Sequence, residues 1–316
     1  MITRRQCALV GLLSGLSLAG PARARQLVLG FAQVGAESQW RIANSKSVQE
    51  AAAAEGISLK FVDAQQQQEN QVKAIRTFIE QRVDVIALAP VVTTGWDPVL
   101  LEARRAGIPV ILTDRSVDTR DDGLYVTLLG SDFTEEGRRA GRWLLRNAKT
   151  SGDVRIVELQ GTTGSAPAIE RKRGFDEVIR VAPRFKVVRS QTADFMREKG
   201  KEVMAAFLKA EGRAIDVVYA HNDDMALGAI QAIEEAGLKP AKDILIIGVD
   251  AVRGAFEAMA AGKMNVTVEC NPLIGPQLMT LVRLVAEGKP IPKRVQSKEG
   301  VFSMDAASRE FPKRKY

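Results

Sequence analysis

The chain has 316 residues, of which 46% are hydrophobic, 26% charged and 5% aromatic, which is typical of a globular protein with room for two domains. The formal net charge is +7, but the basic residues form no clustered stripe, so the sequence argues against a nucleic-acid partner. With one histidine and two cysteines, a zinc site or a cysteine–histidine catalytic pair is nearly excluded, and we expect neither a metal nor a cofactor.

The first 24 residues, MITRRQCALVGLLSGLSLAGPARA, have the layout of a secretory signal peptide. Arg4 and Arg5 form a basic start, a short apolar run follows, and Ala22-Arg23-Ala24 is a small-x-small cleavage signal. The apolar run is too short to span a membrane. We therefore expect export and cleavage after Ala24, by either the general or the twin-arginine route. The mature chain would keep one cysteine, Cys270, and loss of three arginines would lower its net charge to +4.

Short apolar runs then alternate with helix-like patterns along the rest of the chain. Strands are predicted at 27–32, 59–62, 83–89, 110–112, 154–159, 186–188, 217–220 and 244–249. Such alternation predicts parallel sheets that are covered by helices on both faces. Eight strands are too many for one compact doubly wound sheet of a few strands. A long connection at 118–133 separates the first four from the last four, so we expect two α/β lobes.

The carboxyl ends of these strands carry polar and aromatic residues, as in QVGAESQWR after the first strand and TDRS after the fourth. Ligands of open parallel sheets bind beyond the carboxyl ends of the strands, so we expect these segments to line one cleft. After the seventh strand, HNDD should direct Asn222 into the cleft and use Asp223 or Asp224 to cap the next helix. His221 should pack in the wall of the site, and we do not expect it to act as the base of a serine triad.

Carboxylates, guanidinium groups and amides dominate the expected cleft, together with the aromatic rings of Trp40 and Phe195. Such groups hydrogen-bond well to sugar hydroxyls, which are both donors and acceptors. Aromatic faces stack on the apolar face of a sugar ring. No dinucleotide or phosphate-binding glycine motif is present; Gly161-Thr162-Thr163-Gly164 fits a tight turn better than an anion nest.

The segments LTDRS, ERKRGF, ADF, HNDDMALGAIQAI and IGVDA, in this order, resemble the ribose- and galactose-type periplasmic sugar-binding proteins. The resemblance runs from about Gln26 to the end of the chain. The longer strings FAQVGAESQWR, QQQQENQ, APVVTTGWDPVL and IVELQGTTG are similar to galactofuranose-binding members of that family.

The resemblance implies two doubly wound parallel-sheet lobes joined by a three-strand hinge, with crossovers near Gly130, Glu269 and Gln296. The first lobe would comprise residues 25–129 and 270–296, and the second 130–269 and 297–316. By position, the sugar contacts of the family fall on Glu37, Trp40, Arg41, Asp114, Arg115, Arg171, Phe195, Asn222, Asp250 and Glu269. Ribose binders differ at Glu269 and around Glu37 to Trp40, which argues against ribose.

The function implied is that of a monomeric periplasmic protein, not an enzyme, that delivers a monosaccharide to the membrane permease of an ABC importer. Galactofuranose is the first expectation, and another pentose or hexose, feeding a chemoreceptor or sensor, is the alternative. A lactose-repressor-type regulator would need about sixty residues of DNA-binding domain, where 24 precede the first strand. A glycoside hydrolase would use Asp114 and Asp250 about 5–9 Å apart. Arginines near each carboxylate favour hydroxyl recognition over acid–base catalysis.

Overall fold

A computed structural model describes residues 25–148 and 152–316, so the signal-peptide prediction for residues 1–24 lies outside the described residues. Within these ranges the strands form two six-stranded sheets, each packed against helices, which confirms the two-lobe α/β prediction. None of the helices in this part of the chain is long and apolar enough to cross a membrane.

The first lobe is built on a wholly parallel sheet. Its strands are β1 (Val28–Gln33), β2 (Ser58–Asp63), β3 (Val85–Leu88), β4 (Val110–Thr113), β5 (Thr127–Gly130) and β11 (Arg294–Gln296). Its helices are α1 (Gln39–Ala54), α2 (Gln68–Glu80), α3 (Asp97–Arg105) and α9 (Gly275–Ala286). The strand order is β11-β5-β4-β3-β1-β2. Along β1, Leu29 and Phe31 pack into the core on the α1 and α9 face, whereas Ala32 faces α2 and α3, as expected for alternating side chains.

The second lobe repeats this arrangement with one antiparallel edge strand. Its strands are β6 (Val154–Gln160), β7 (Phe185–Thr192), β8 (Val217–Ala220), β9 (Leu245–Asp250), β10 (Val266–Glu269) and β12 (Val301–Ser303). Its helices are α4 (Phe133–Asn147), α5 (Ala166–Ile179), α6 (Arg197–Glu211), α7 (Asp223–Glu235), α8 (Arg253–Ala260) and α10 (Ala307–Glu310). The order is β12-β10-β9-β8-β6-β7, with β12 antiparallel to β10.

The chain passes between the sheets after β5, after β10 and after β11. The three crossing segments touch one another. The Ser131 hydroxyl lies 3.3 Å from Cys270 Sγ and also donates to the Glu299 carboxylate, which accepts from the Asn271 amide at 3.1 Å. Side-by-side crossings of this kind form a compact hinge about which two lobes can rotate.

The prediction that residues 118–133 are a plain connection was wrong, because this segment contains β5 and a short 3-10 helix, Asp122–Leu124. β5 has four residues and ends at Gly130, where the backbone of Asp114 approaches so closely that a Cβ would lie 2.7 Å from its carbonyl oxygen. Strands β10, β11 and β12 were also missed. All four contain at most two consecutive apolar residues, whereas β3, β4 and β8, which also have four residues each, contain at least three.

Candidate ligand-binding site between the lobes

A small cavity lies between the carboxyl ends of the two sheets. Nine of the ten residues expected at the site line it, namely Glu37, Trp40, Arg41, Asp114, Arg115, Arg171, Phe195, Asn222 and Asp250. Ser38, Phe133, Pro167 and Cys270 also line it and were not predicted. The empty space between the lining atoms, open solvent included, is about 270 Å³, but only about 20 Å³ is accessible to the centre of a water-sized molecule. The two lobes are therefore closed tightly on each other at this cavity.

Arg41 organises the first-lobe wall. Its Nη2 lies 2.7 Å from Asp114 Oδ2, its Nε 3.2 Å from Glu37 Oε1 and its Nη1 3.2 Å from Gln33 Oε1. The side chain reaches these partners from the first turn of α1, where the Ser38 hydroxyl accepts from the Arg41 amide at 3.1 Å as an N-cap. Burial opposes the charged form, but the two carboxylates raise the pKa of Arg41 above its ordinary value. The wall is therefore a fixed set of charged groups.

Arg115 is held less completely than Arg41. Its Nη1 donates to the carbonyl oxygen of Val91 at 3.2 Å, while its Nε lies 3.5 Å from Asp114 Oδ2. Among the described residues, Arg115 Nε and Glu37 Oε2 are buried without a hydrogen-bond partner. Burial, aided by the nearby Arg41, lowers the pKa of Arg115 to about 10, so the group is still charged near neutral pH. A buried donor or acceptor without a hydrogen-bond partner destabilises the folded protein. A ligand with hydroxyl groups can accept from Arg115 Nε and donate to Glu37 Oε2.

Arg171 organises the second-lobe wall. Its Nε donates to Glu136 Oε2 at 2.7 Å, its Nη1 donates to the backbone oxygen of His221 at 2.5 Å, and its Nη2 lies 3.5 Å from Asp250 Oδ1. The contact between Arg171 of α5 and Glu136 of α4 requires that the two helices pack closely. A Cβ on Gly137 would lie only 2.1 Å from the carbonyl oxygen of Arg171. Burial works against ionisation, but the neighbouring acidic groups, Glu136 foremost, raise the pKa of Arg171.

Asn222 joins the cavity wall to the helix behind it. Its Nδ2 donates to the carbonyl oxygen of Phe195 at 3.1 Å, and its Oδ1 accepts from the Met225 amide at 3.0 Å. Asn222 is thus the N-cap of α7, and the assignment of that cap to Asp223 or Asp224 was wrong. Asp223 instead accepts from the Thr267 hydroxyl at 2.8 Å beneath the site. The amide of Asn222 can serve both roles because it carries a donor and an acceptor.

Three lining residues have backbones in the left-handed region. Asp114 has φ 61°, Phe195 has φ 62° and Asp250 has φ 123°, and none of them is glycine. Each stands at or shortly after the end of a strand, where the turn aims its side chain at the cavity. Positive φ in non-glycine residues costs free energy and clusters at functional sites. The strain therefore supports the cavity as the functional site.

Trp40 and Glu269 differ from expectation. The Trp40 indole donates to the carbonyl oxygen of Cys270 at 2.7 Å, and the Arg41 guanidinium lies 4.7 Å from the Trp40 ring centroid. Part of the stacking surface expected from Trp40 is thus already occupied. Glu269 does not line the cavity: its Oε1 pairs with Arg314 Nη1 at 2.8 Å, and its Oε2 accepts from the Gly300 amide at 2.9 Å. The ion pair with Arg314, near the C-terminus, holds the Glu269 carboxylate outside the cavity.

His221 lies behind the wall and is fully buried. Its Nε2 is 3.1 Å from Glu158 Oε1, and its Nδ1 accepts from the Gly161 amide at 3.4 Å. Burial lowers the pKa of His221, so the ring is neutral near pH 7 and carries its proton on the Nε2 that faces Glu158. The backbone oxygen of His221 accepts a hydrogen bond from Arg171. His221 therefore stabilises the site although it does not line the cavity.

Comparison with known proteins agrees with this architecture. The family model described as the periplasmic binding protein domain matches residues 29–290. The galactofuranose-binding protein of Escherichia coli K12 is 48% identical over 306 residues, which are 96% of this chain and 94% of that protein.

Two solved structures have the same fold. A Mycobacterium smegmatis protein in complex with β-D-fucofuranose has a TM-score of 0.89 at 56% identity and covers 90% of this chain and 94% of its own. The second is the periplasmic binding protein component of the arabinose ABC transporter from Shewanella sp. ANA-3, bound to α- and β-L-arabinofuranose. It has a TM-score of 0.88 at 52% identity and covers 91% of this chain and 95% of its own. With its two parallel-sheet lobes and the cavity between them, the chain belongs to the periplasmic binding protein family.

Proposed function

We propose that this protein captures one monosaccharide in the cavity between its lobes, with galactofuranose as the preferred ligand. The observation that carries the proposal is the cavity lining, in which arginines from both lobes are paired with carboxylates beside aromatic rings. A phosphate ligand would favour cations without carboxylates, whereas sugar hydroxyls use donors and acceptors together.

A five-membered ring is supported by what the relatives bind. The Escherichia coli relative is a galactofuranose-binding protein, and the two solved structures hold fucofuranose and arabinofuranose. Galactofuranose carries a diol arm outside its ring, so its site must hydrogen-bond the arm as well as the ring hydroxyls. Glu37 and Arg41, beside the Asp114 and Arg115 pair, supply more polar groups than a bare pentose needs. A site of this kind rejects analogues that leave its buried polar groups unpaired.

The site and the relatives also support a role in transport. We propose that the protein works in the periplasm, as a monomer, and hands the sugar to the membrane permease of an ABC importer. The nature of the site supports binding without turnover, because Asp114 and Asp250, the two carboxylates that a hydrolase would use, are both held beside arginines.

The proposal is tested by calorimetry with D-galactose, L-arabinose, D-fructose and D-ribose. Dissolved galactose is mostly pyranose, so its apparent affinity should be lowered by the small furanose fraction. Saturation should also reduce the radius of gyration in small-angle scattering, because the site is complete only when the lobes meet. Asp114→Asn should abolish the galactose signal, and Asp122→Asn, at an exposed turn of the same lobe, should retain it. Absence of binding to all four sugars would contradict the proposal.

A further inference from the structure

A hydrogen bond joins the two lobes outside the cavity. The backbone N–H of Gln39, the first residue of α1, donates to Asp224 Oδ2 at 2.7 Å. Helix α1 belongs to the first lobe, and Asp224 is the second residue of α7 in the second lobe. The two residues are 185 positions apart in the chain, so this contact exists only because the lobes have come together.

The contact satisfies a group that α1 cannot satisfy by itself. The first N–H groups of a helix have no partner within the helix. In α1 the N-cap hydroxyl of Ser38 accepts from the Arg41 amide, which leaves the Gln39 amide for another acceptor. A carboxylate is the preferred acceptor there, because it also interacts favourably with the positive end of the helix dipole.

Asp224 is held in position by its own lobe. Arg197, the first residue of α6, donates from Nη2 to Asp224 Oδ1 at 2.7 Å and from Nε to the same atom at 3.1 Å. The other oxygen, Oδ2, is the one that accepts from Gln39. Since Arg197 and Asp224 lie in the same lobe, their pairing does not depend on closure. The carboxylate is therefore already oriented to accept from the Gln39 amide of α1 when the lobes close.

Two other roles for Asp224 are already taken by its neighbours. Asn222 caps α7, so Asp224 is not needed as the cap of its own helix. Asn222 also lines the cavity, whereas Asp224 does not. The side chain is nevertheless only 6% exposed, which is unusual for a charged group that neither caps its own helix nor touches the ligand site.

We propose that Asp224 is a latch of the closed form, which caps α1 of the opposite lobe and sets how long the sugar stays bound. The inference rests on the proposed sugar-binding function, because release of the sugar requires the lobes to separate. Loss of the latch destabilises the closed form and removes no group of the cavity wall, because Asp224 does not line the cavity. Its effect must then fall on the dissociation rate, and by the same factor for every sugar.

The test compares Asp224→Asn with the control Asp243→Asn. Asp243 also accepts from a backbone amide, that of Lys239 at 2.8 Å, but within one lobe and on the surface. Asp224→Asn keeps the shape of the side chain and removes its charge, so we expect Kd to rise about tenfold through faster dissociation, for each sugar that the unmodified protein binds. The control should stay within about twofold of the unmodified protein. Equal dissociation rates for all three proteins would overturn the latch.

Arg197→Gln removes only the support of the carboxylate and should weaken binding in the same direction, but less. This variant keeps the proposal testable if Asp224→Asn folds poorly in thermal unfolding. If the unmodified protein binds none of the sugars, the proposed function fails, and the latch is tested on the sugar-free protein. Spin labels on Glu80→Cys in α2 and Lys209→Cys in α6 then report the distance between lobes. The latch predicts fewer closed molecules for Asp224→Asn, and identical distance distributions would refute it.

Discussion

The guanidinium of Arg115 lies 5.3 Å from the centre of the Phe195 ring, and the two residues come from opposite lobes. Arg115 follows β4 of the first sheet, and Phe195 follows β7 of the second. A charged group and an aromatic face thus meet across the cavity. At this distance the guanidinium lies over the ring and the pair itself bridges the two lobes, so a sugar would bind beside the pair and not between its members.

Replacing Arg115 with alanine should weaken sugar binding by about 2–5 kcal/mol, because Glu37 and Asp114 would lose a buried cationic neighbour. Calorimetry measures the change. Arg76→Ala is the matched control, since Arg76 also pairs with a carboxylate of the first lobe, Glu102, but on the surface. If both variants bind like the unmodified protein, the site has been assigned to the wrong residues.

Glu269→Gln should leave sugar affinity within about threefold, because Glu269 pairs with Arg314 and does not line the cavity. Asp250→Asn, one strand away, should reduce affinity by more than tenfold, because Asp250 faces Arg171 in the wall. Both changes convert a carboxylate to an amide of the same shape. Calorimetry of the pair distinguishes the two positions, and the reverse ranking would restore Glu269 to the ligand set.

His221→Ala should lower the free energy of unfolding by about 1–3 kcal/mol, because Glu158 would lose the imidazole as a buried donor. Sugar affinity should change by less than about tenfold, since the ring does not line the cavity. Urea denaturation and calorimetry measure the two quantities separately. A variant that folds normally but binds no sugar would indicate direct contact between His221 and the ligand.

Glu136 should make stability depend on pH. Burial raises the pKa of Glu136 from 4.5 to about 8, despite the adjacent Arg171. Between these values the folded protein retains a proton that the unfolded chain has released, so this residue's contribution to the free energy of unfolding falls as pH rises and levels off above pH 8. The slope cannot exceed about 1.4 kcal/mol per pH unit for one proton.

Glu136→Gln cannot release a proton and should lack this contribution. Denaturation of both proteins from pH 5 to 9 should therefore show the unmodified protein losing stability relative to the variant up to about pH 8. Glu50→Gln, an exposed change on α1, controls for the substitution itself. Parallel stability curves for the unmodified protein and Glu136→Gln would mean that Glu136 is ionised throughout.

Much of the architecture was predictable because it follows from local patterns. Strands alternating with helices specify parallel sheets, and the carboxyl ends of such strands meet at one edge. For this reason Asp114, Asp250 and Asn222 could be placed in one cleft although they lie far apart in the chain. Four short strands that lack a run of three apolar residues were not recognised.

The differences between the predicted and the observed arrangement of the site involve contacts between distant segments. Glu269 is drawn to Arg314, 45 positions later, and no feature of either local sequence indicates the pair. Asp224 looked like a cap of its own helix, because an acidic residue near a helix start usually is one. Asp224 instead accepts a hydrogen bond from the Gln39 amide of the other lobe. That contact depends on how the two lobes meet, which local sequence patterns do not indicate.

The ring form of the bound sugar decides whether this protein is a galactofuranose binder. Carbon NMR of ¹³C-labelled D-galactose on the protein distinguishes furanose from pyranose at the anomeric carbon. The bound sugar should give furanose signals, which should disappear with Arg115→Ala and persist with Arg76→Ala. Bound signals from pyranose alone would contradict this expectation and leave the protein a general hexose or pentose binder.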